Sequence, residues 1–158
     1  MKTSFPVTHI GPVTGKRHKC FIPSLVDVPL GQGSDTTVID PKRLRREMGW
    51  ETHYRVGSVY VGPTPVGPPP ELVPQCMQEL VWYMSLKGCP QIKGWYSMLY
   101  LISVHPWRDG NGRAGRYLYR LYTGSSESTQ VLRARYRDPL QHFQGRLVDI
   151  STGEVTYL

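Results

Sequence analysis

Twelve consecutive positions, His105-Pro106-Trp107-Arg108-Asp109-Gly110-Asn111-Gly112-Arg113-Ala114-Gly115-Arg116, gather a base, an acid, turn-forming residues and arginines. Phosphate chemistry requires these parts. Gly110 and Gly112 lack Cβ atoms, so the backbone there can approach a ligand closely. If a helix starts here, its first N–H groups and its dipole favour an anion. Arg113 and Arg116 are three apart and share one face of that helix. Guanidinium forks match phosphate oxygens. Asp109 offers a hard oxygen for magnesium bridging two phosphates. His105 is the residue type suited to a general base near neutral pH. Each has a plainer reading alone: a GNG turn, a His-Pro helix boundary, solvated arginines. The argument rests on their joint order and spacing. Together they would position a triphosphate, neutralise it and deprotonate an incoming hydroxyl.

Such a loop has to be held between firm elements. Upstream, Pro90 to Val104 is apolar nearly all round, through Ile92, Trp95, Tyr96, Leu99, Leu101, Ile102 and Val104, which predicts a central buried helix. His105-Pro106 ends it. Downstream, a helix from about Gly112 to Tyr122 turns Ala114, Leu118, Leu121 and Tyr122 inward and stops at Gly124. Before the central helix, Glu71 to Leu86 carries Val73, Met77, Leu80, Val81 and Met84 on one face. Cys76 falls on that apolar side. A short helix is expected over Pro41 to Met48, capped by Asp40 and stopped by Gly49. Tyr54 to Gly62 reads as a strand or β-hairpin, and Pro63 to Pro70 as a stiff, partly polyproline-like connector. Residues 1–40 read as irregular because proline and glycine punctuate them. Ser125 to Thr129 is a polar loop, Val131 to Arg137 a further short helix, and the tail from Gly145 holds a short extended segment.

The chain of 158 residues suits one domain, 39% apolar and 20% charged. No apolar run reaches the ~20 residues of a membrane helix, and the N-terminus does not read as a secretory signal. Three cysteines without a CxxC spacing argue against a disulfide framework or a zinc site and suit a reducing, cytoplasmic setting. The net charge of +7 raises nucleic acid as a partner. The basic residues lie in three separate clusters, Lys16 to Lys19, Lys42 to Arg46 and Arg133 to Arg137, which reads better as solvated basic surface or attraction to an acidic partner than as specific nucleic-acid recognition.

The segment from His105 to Arg116 resembles the signature of the Fic (Fido) family, H-P-[FW]-x-[DE]-G-N-G-R-x-x-R, with every fixed position present. Tyr54 to Gly62, Pro69 to Pro74 and Pro90 to His105 are also similar to family stretches, so the likeness covers roughly residues 54 to 122. The resemblance implies a mainly α fold, a Fic-type helical domain with a small β-hairpin. It divides the chain into an irregular N-terminal segment over 1–40, a catalytic domain over 41–140 and a C-terminal tail over 141–158. It implies a protein adenylyltransferase that moves AMP from ATP to a Ser, Thr or Tyr hydroxyl. By position, His105 would deprotonate the acceptor and Asp109 would hold magnesium on the α- and β-phosphates. Gly110, Asn111, Gly112 and Arg113 would cradle the anion, and Arg116 would engage the outer phosphate. A flap that pairs with the target's backbone would fall at Lys87 to Gln91.

Gly112-Arg113 argues against the phosphorylating branch, whereas UMP or GMP transfer stays open. Many relatives carry an inhibitory [ST]-x-x-x-E-[GN] motif. Here the near-match is Thr123 to Ser128 around Glu127, a place the family does not use. The resemblance therefore implies no built-in inhibition, and either a separate antitoxin-like partner or an unrestrained toxin or delivered effector. Two rivals from other classes remain. A non-catalytic nucleotide- or partner-binding module would need neither His105 nor Asp109. A basic nucleic-acid binder would show steep salt dependence that survives loss of His105.

Overall fold

The computed structural model describes residues 19–61, 64–143, 145–149 and 155–157. The irregular reading of residues 1–18 and the basic run at Lys16, Arg17 and His18 lie outside them. Strand β1 is Lys19–Pro23 and helix α1 is Pro41–Glu47. A hairpin of β2 (Val59–Val61) and β3 (Thr64–Val66) follows, then a 3-10 turn at Pro70–Leu72. Helices α2 (Val73–Ser85), α3 (Pro90–Val104), α4 (Asn111–Thr123) and α5 (Thr129–Gln141) come next, followed by β4 (Gly145–Asp149) and β5 (Val155–Tyr157). The fold is mainly α, as expected.

Local chemistry sets the helix ends. The Asp40 carboxylate accepts from the Lys42 N–H at 3.1 Å, and Pro41 needs no donor in the first turn. The Ser128 hydroxyl accepts from Val131 N–H at 3.2 Å and starts α5. That helix is longer than the expected 131–137.

Helix α3 is the central element and packs against α2, α4, α5 and β1. Met98, Leu99, Tyr100, Leu101 and Val104 are buried on it. Small residues let α4 come close: a Cβ on Gly94 would lie 2.8 Å from the Tyr122 Cβ, and one on Gly115 2.9 Å from Ile102 Cγ1. This tight contact fixes the two helices that flank the motif loop.

Several expectations are corrected. Residues 19–23 are not irregular: β1 pairs antiparallel with β4, Lys19 opposite Asp149 and Pro23 opposite Gly145. The partner lies more than a hundred residues away, so no local pattern announces it. Part of the Pro63 to Pro70 connector is strand β3, with Val66 opposite Val59. Proline is tolerated there because the ladder has only two strands. Val81 is 37% exposed and Leu121 49% exposed. On α2 the buried arc is drawn toward Glu79 and Tyr83, leaving Val81 beyond its edge. On α4 the inner face runs through Asn111, Ala114, Gly115, Leu118, Tyr119 and Tyr122, and Leu121 is turned about 100° from Tyr122.

Glu79 is fully buried. It pairs with the buried Arg146 of β4 at 2.8 Å and accepts from Leu25 N–H at 2.6 Å. Arg146 also donates to the Ser24 hydroxyl at 3.1 Å. One buried ion pair thus joins α2, the residues after β1, and β4. Cys76 is buried as expected, and burial pushes its thiol up to about 12.

Candidate functional site

Helix α3 delivers His105 and α4 begins six residues later. His105 closes α3 in a left-handed conformation, φ 54° and ψ 59°. The proline rule favours extended geometry before Pro106, and a non-glycine residue pays roughly 1–2 kcal/mol for this one. A buried side chain upholds it. Arg55 donates from Nε to the His105 carbonyl at 2.6 Å and from Nη2 to the Val104 carbonyl at 3.2 Å. The same guanidinium reaches the Pro68 carbonyl at 2.5 Å and the Gly57 carbonyl at 3.1 Å, and the Arg55 N–H reaches the Pro106 carbonyl at 2.8 Å. One arginine ties the end of α3 to the base of the hairpin. His105 is half-buried, and its pKa lies below the usual 6.5, first because burial disfavours the imidazolium and second because Arg55 carries like charge.

A second buried arginine holds the other side of the loop. Arg45 of α1 donates to the Asp109 carbonyl at 3.1 Å and the Glu51 carbonyl at 2.9 Å. Its guanidinium lies 4.4 Å from the Trp107 ring and 4.8 Å from the Trp50 ring. The basic cluster Lys42 to Arg46 is therefore not all solvated surface. Trp107 is buried and donates from its indole to the Thr52 carbonyl at 3.3 Å. The Asn111 side chain closes the loop on itself: its oxygen accepts from Trp107 N–H and its amide donates to the Trp107 carbonyl, both at 2.9 Å.

Gly110 has φ +74°, and a Cβ there would fall 2.0 Å from the Trp50 ring. Only glycine fits this position. Beyond it, Ala114 N–H is bonded to the Gly110 carbonyl, and the first N–H groups of α4 have no partner within the helix. Arg113 and Arg116 start from one face, as expected, but diverge. Arg113 is exposed and lies 4.6 Å from the Trp50 ring. Arg116 is buried, and a Cβ on Gly112 would be 2.8 Å from its Nη1. Among the described residues its Nε has no hydrogen-bond partner.

Asp109 is exposed. Among the described residues no three carboxylate, histidine or cysteine groups gather as a metal cluster. A single carboxylate two residues before α4 still fits magnesium, which usually takes one or two protein carboxylates plus phosphate oxygens and water.

Glu127 is bound to arginines other than Arg116. Its carboxylate grips Arg135 at 2.5 and 2.6 Å, and its carbonyl accepts from Arg120 at 3.1 Å.

The flap expected at Lys87 to Gln91 is misplaced. It sits at the start of α3, about 22 Å of helix from His105. Its backbone is already used: Gly88 and Asp35 exchange two hydrogen bonds at 3.1 Å, and Cys89 N–H donates to the Leu30 carbonyl at 2.7 Å. The hairpin β2–β3, tied through Arg55 to His105, is the element beside the site.

Sequence reasoning missed Arg45, Arg55 and Trp50. Arg55 stood in a stretch already similar to the family, which was the available signal.

The Fic/DOC family model matches residues 39–123, more than half of the chain. The chain belongs to the Fic/DOC family, whose members are typically transferases. No curated protein matches it. The matched stretch contains α1, the hairpin, α2, α3, the motif loop and α4. It leaves out β1, α5 and the β4–β5 strands.

Proposed function

We propose that this protein transfers AMP from ATP to a Ser, Thr or Tyr hydroxyl of another protein. The observation that carries the reading is one loop that joins a half-buried histidine, its backbone fixed by Arg55, to a buried guanidinium that lies against Gly112 in the first turn of α4 and, among the described residues, has an unfilled donor. His105 takes the proton of the acceptor hydroxyl. The freed oxygen attacks the α-phosphorus, the bond to the β-phosphate oxygen breaks, and pyrophosphate leaves. The first N–H groups of α4 and Arg113 hold the inner phosphates, and Arg116 holds the outer one. Asp109 would hold magnesium, which supplies charge neutralisation on the α- and β-phosphates when bound. An acceptor segment docks best along β2–β3, the element tied to His105.

Because the one near-match to an inhibitory glutamate, Glu127, is engaged by Arg135, we infer that any inhibition comes from a separate antitoxin-like partner. The test is incubation with α-labelled ATP, magnesium and a cell lysate, beside His105→Ala. Label on protein only with intact His105 is expected. Tight ATP binding without label would overturn the reading in favour of a non-catalytic module. Label from UTP or GTP alone would keep transfer and change the base.

A further inference from the structure

Helix α5 lies outside the family-matched stretch, yet it places one polar group in the site. The Tyr136 hydroxyl accepts from Arg116 Nη1 at 3.1 Å, with both side chains buried. Tyr136 is held there firmly. Leu132, one turn earlier on the same face, is fully buried. The Ser128 cap and the Arg135 pair with Glu127 fix the start and outer face of α5. Arg135 also lies 4.9 Å from the Trp95 ring of α3.

A buried guanidinium is costly unless its donors are filled. Among the described residues Arg116 has one side-chain partner, Tyr136, and its Nε has none. The group lies against Gly112 in the first turn of α4, where an anion is favoured. A tyrosine oxygen that accepts from arginine keeps its own proton to donate. The pair therefore presents guanidinium N–H groups and one phenolic O–H, a donor set suited to a terminal phosphate.

We propose that Tyr136 is a specificity-determining residue of the outer-phosphate subsite, donating its hydroxyl proton to the terminal phosphate of a nucleoside triphosphate and orienting Arg116 toward it. This rests on the proposed nucleotide reading and extends it to an element that the family model does not cover. The subsite would prefer a triphosphate end over a diphosphate.

The experiment is calorimetric binding of ATP, ADP and inorganic tripolyphosphate, with magnesium, to the full chain and to Tyr136→Phe and Tyr136→Ala. Loss of one hydrogen bond to a phosphate should weaken ATP and tripolyphosphate roughly five- to tenfold in Tyr136→Phe, while ADP changes less than twofold. Phe keeps the ring that packs α5, so a variant that still melts cooperatively well above the assay temperature separates loss of the hydroxyl from loss of the fold. Equal losses for ATP and ADP, or none, in a folded Phe variant would overturn the proposal and leave the transferase reading standing. A wild-type chain that binds none of the three would overturn both.

Discussion

His105 and Arg55 act as a unit at the scale of single residues. The charge of Arg55 adds to burial in holding the imidazole neutral, and its donors hold the left-handed turn. Arg55→Gln should raise the His105 pKa toward 6.5 and shift the acid limb of the rate profile the same way. NMR titration of the imidazole checks this, and an unchanged pKa in a folded variant would refute the coupling. The orphaned carbonyls should cost roughly 2–4 kcal/mol of stability. Arg55→Lys keeps the charge without the fork, so it should hold the pKa low while losing much of the rate. The depressed folded pKa also sets a sign for stability. The unfolded chain binds the proton more readily, so this contribution is complete above about pH 6.5 and is lost as pH falls through the folded value. His105, Asp109 and Arg116 could be picked out as candidates because their side-chain types and spacing point to one chemistry. Arg45 and Arg55 were not, because they act on backbone carbonyls, which carry no sequence signature.

Helices and strands show a similar division. Helix α3 could be read to the residue, since Pro90 and His105-Pro106 bound an apolar run. Strand β1 could not be read, because its pairing spans nearly the whole chain, and a glutamate such as Glu79 on an amphipathic helix is ordinarily a solvated charge. Its burial depends on Arg146, and the sequence gives no sign that these two meet. Glu79→Ala should therefore destabilise by about 3–5 kcal/mol, because Arg146 is left charged and buried. The paired replacement Glu79→Leu with Arg146→Met should cost much less. Thermal melts of the single and double variants decide the matter: equal losses would mean that the pair is a packing feature and not an electrostatic one. Neither Glu79 nor Arg146 belongs to the motif loop, so in either case the labelled transfer rate per folded molecule should be unchanged.

Across the molecule, the family-matched stretch is not a self-sufficient core. Residues outside it fill and satisfy that core. Ile22, Leu25, Leu132 and Phe143 are buried, and the Phe143 and Tyr100 rings lie 6.2 Å apart. The Tyr83 hydroxyl donates to the Pro29 carbonyl at 2.7 Å, and buried Lys93 donates to the Asp35 carbonyl at 2.7 Å. Cutting to residues 39–123 would remove these partners together with Arg146 and Tyr136, leaving Glu79, Lys93 and Arg116 as buried charges without them. A chain that short also buries a smaller share of its surface. The 39–123 fragment should thus lack a cooperative melt and dispersed amide resonances, and a 19–158 chain should keep both. Circular dichroism and a proton–nitrogen correlation spectrum of the two purified chains make the comparison. A cooperative 39–123 fragment that still binds ATP would mean that the outer strands and α5 only decorate the family core. An unfolded one would mean that β1, β4 and α5 complete the domain.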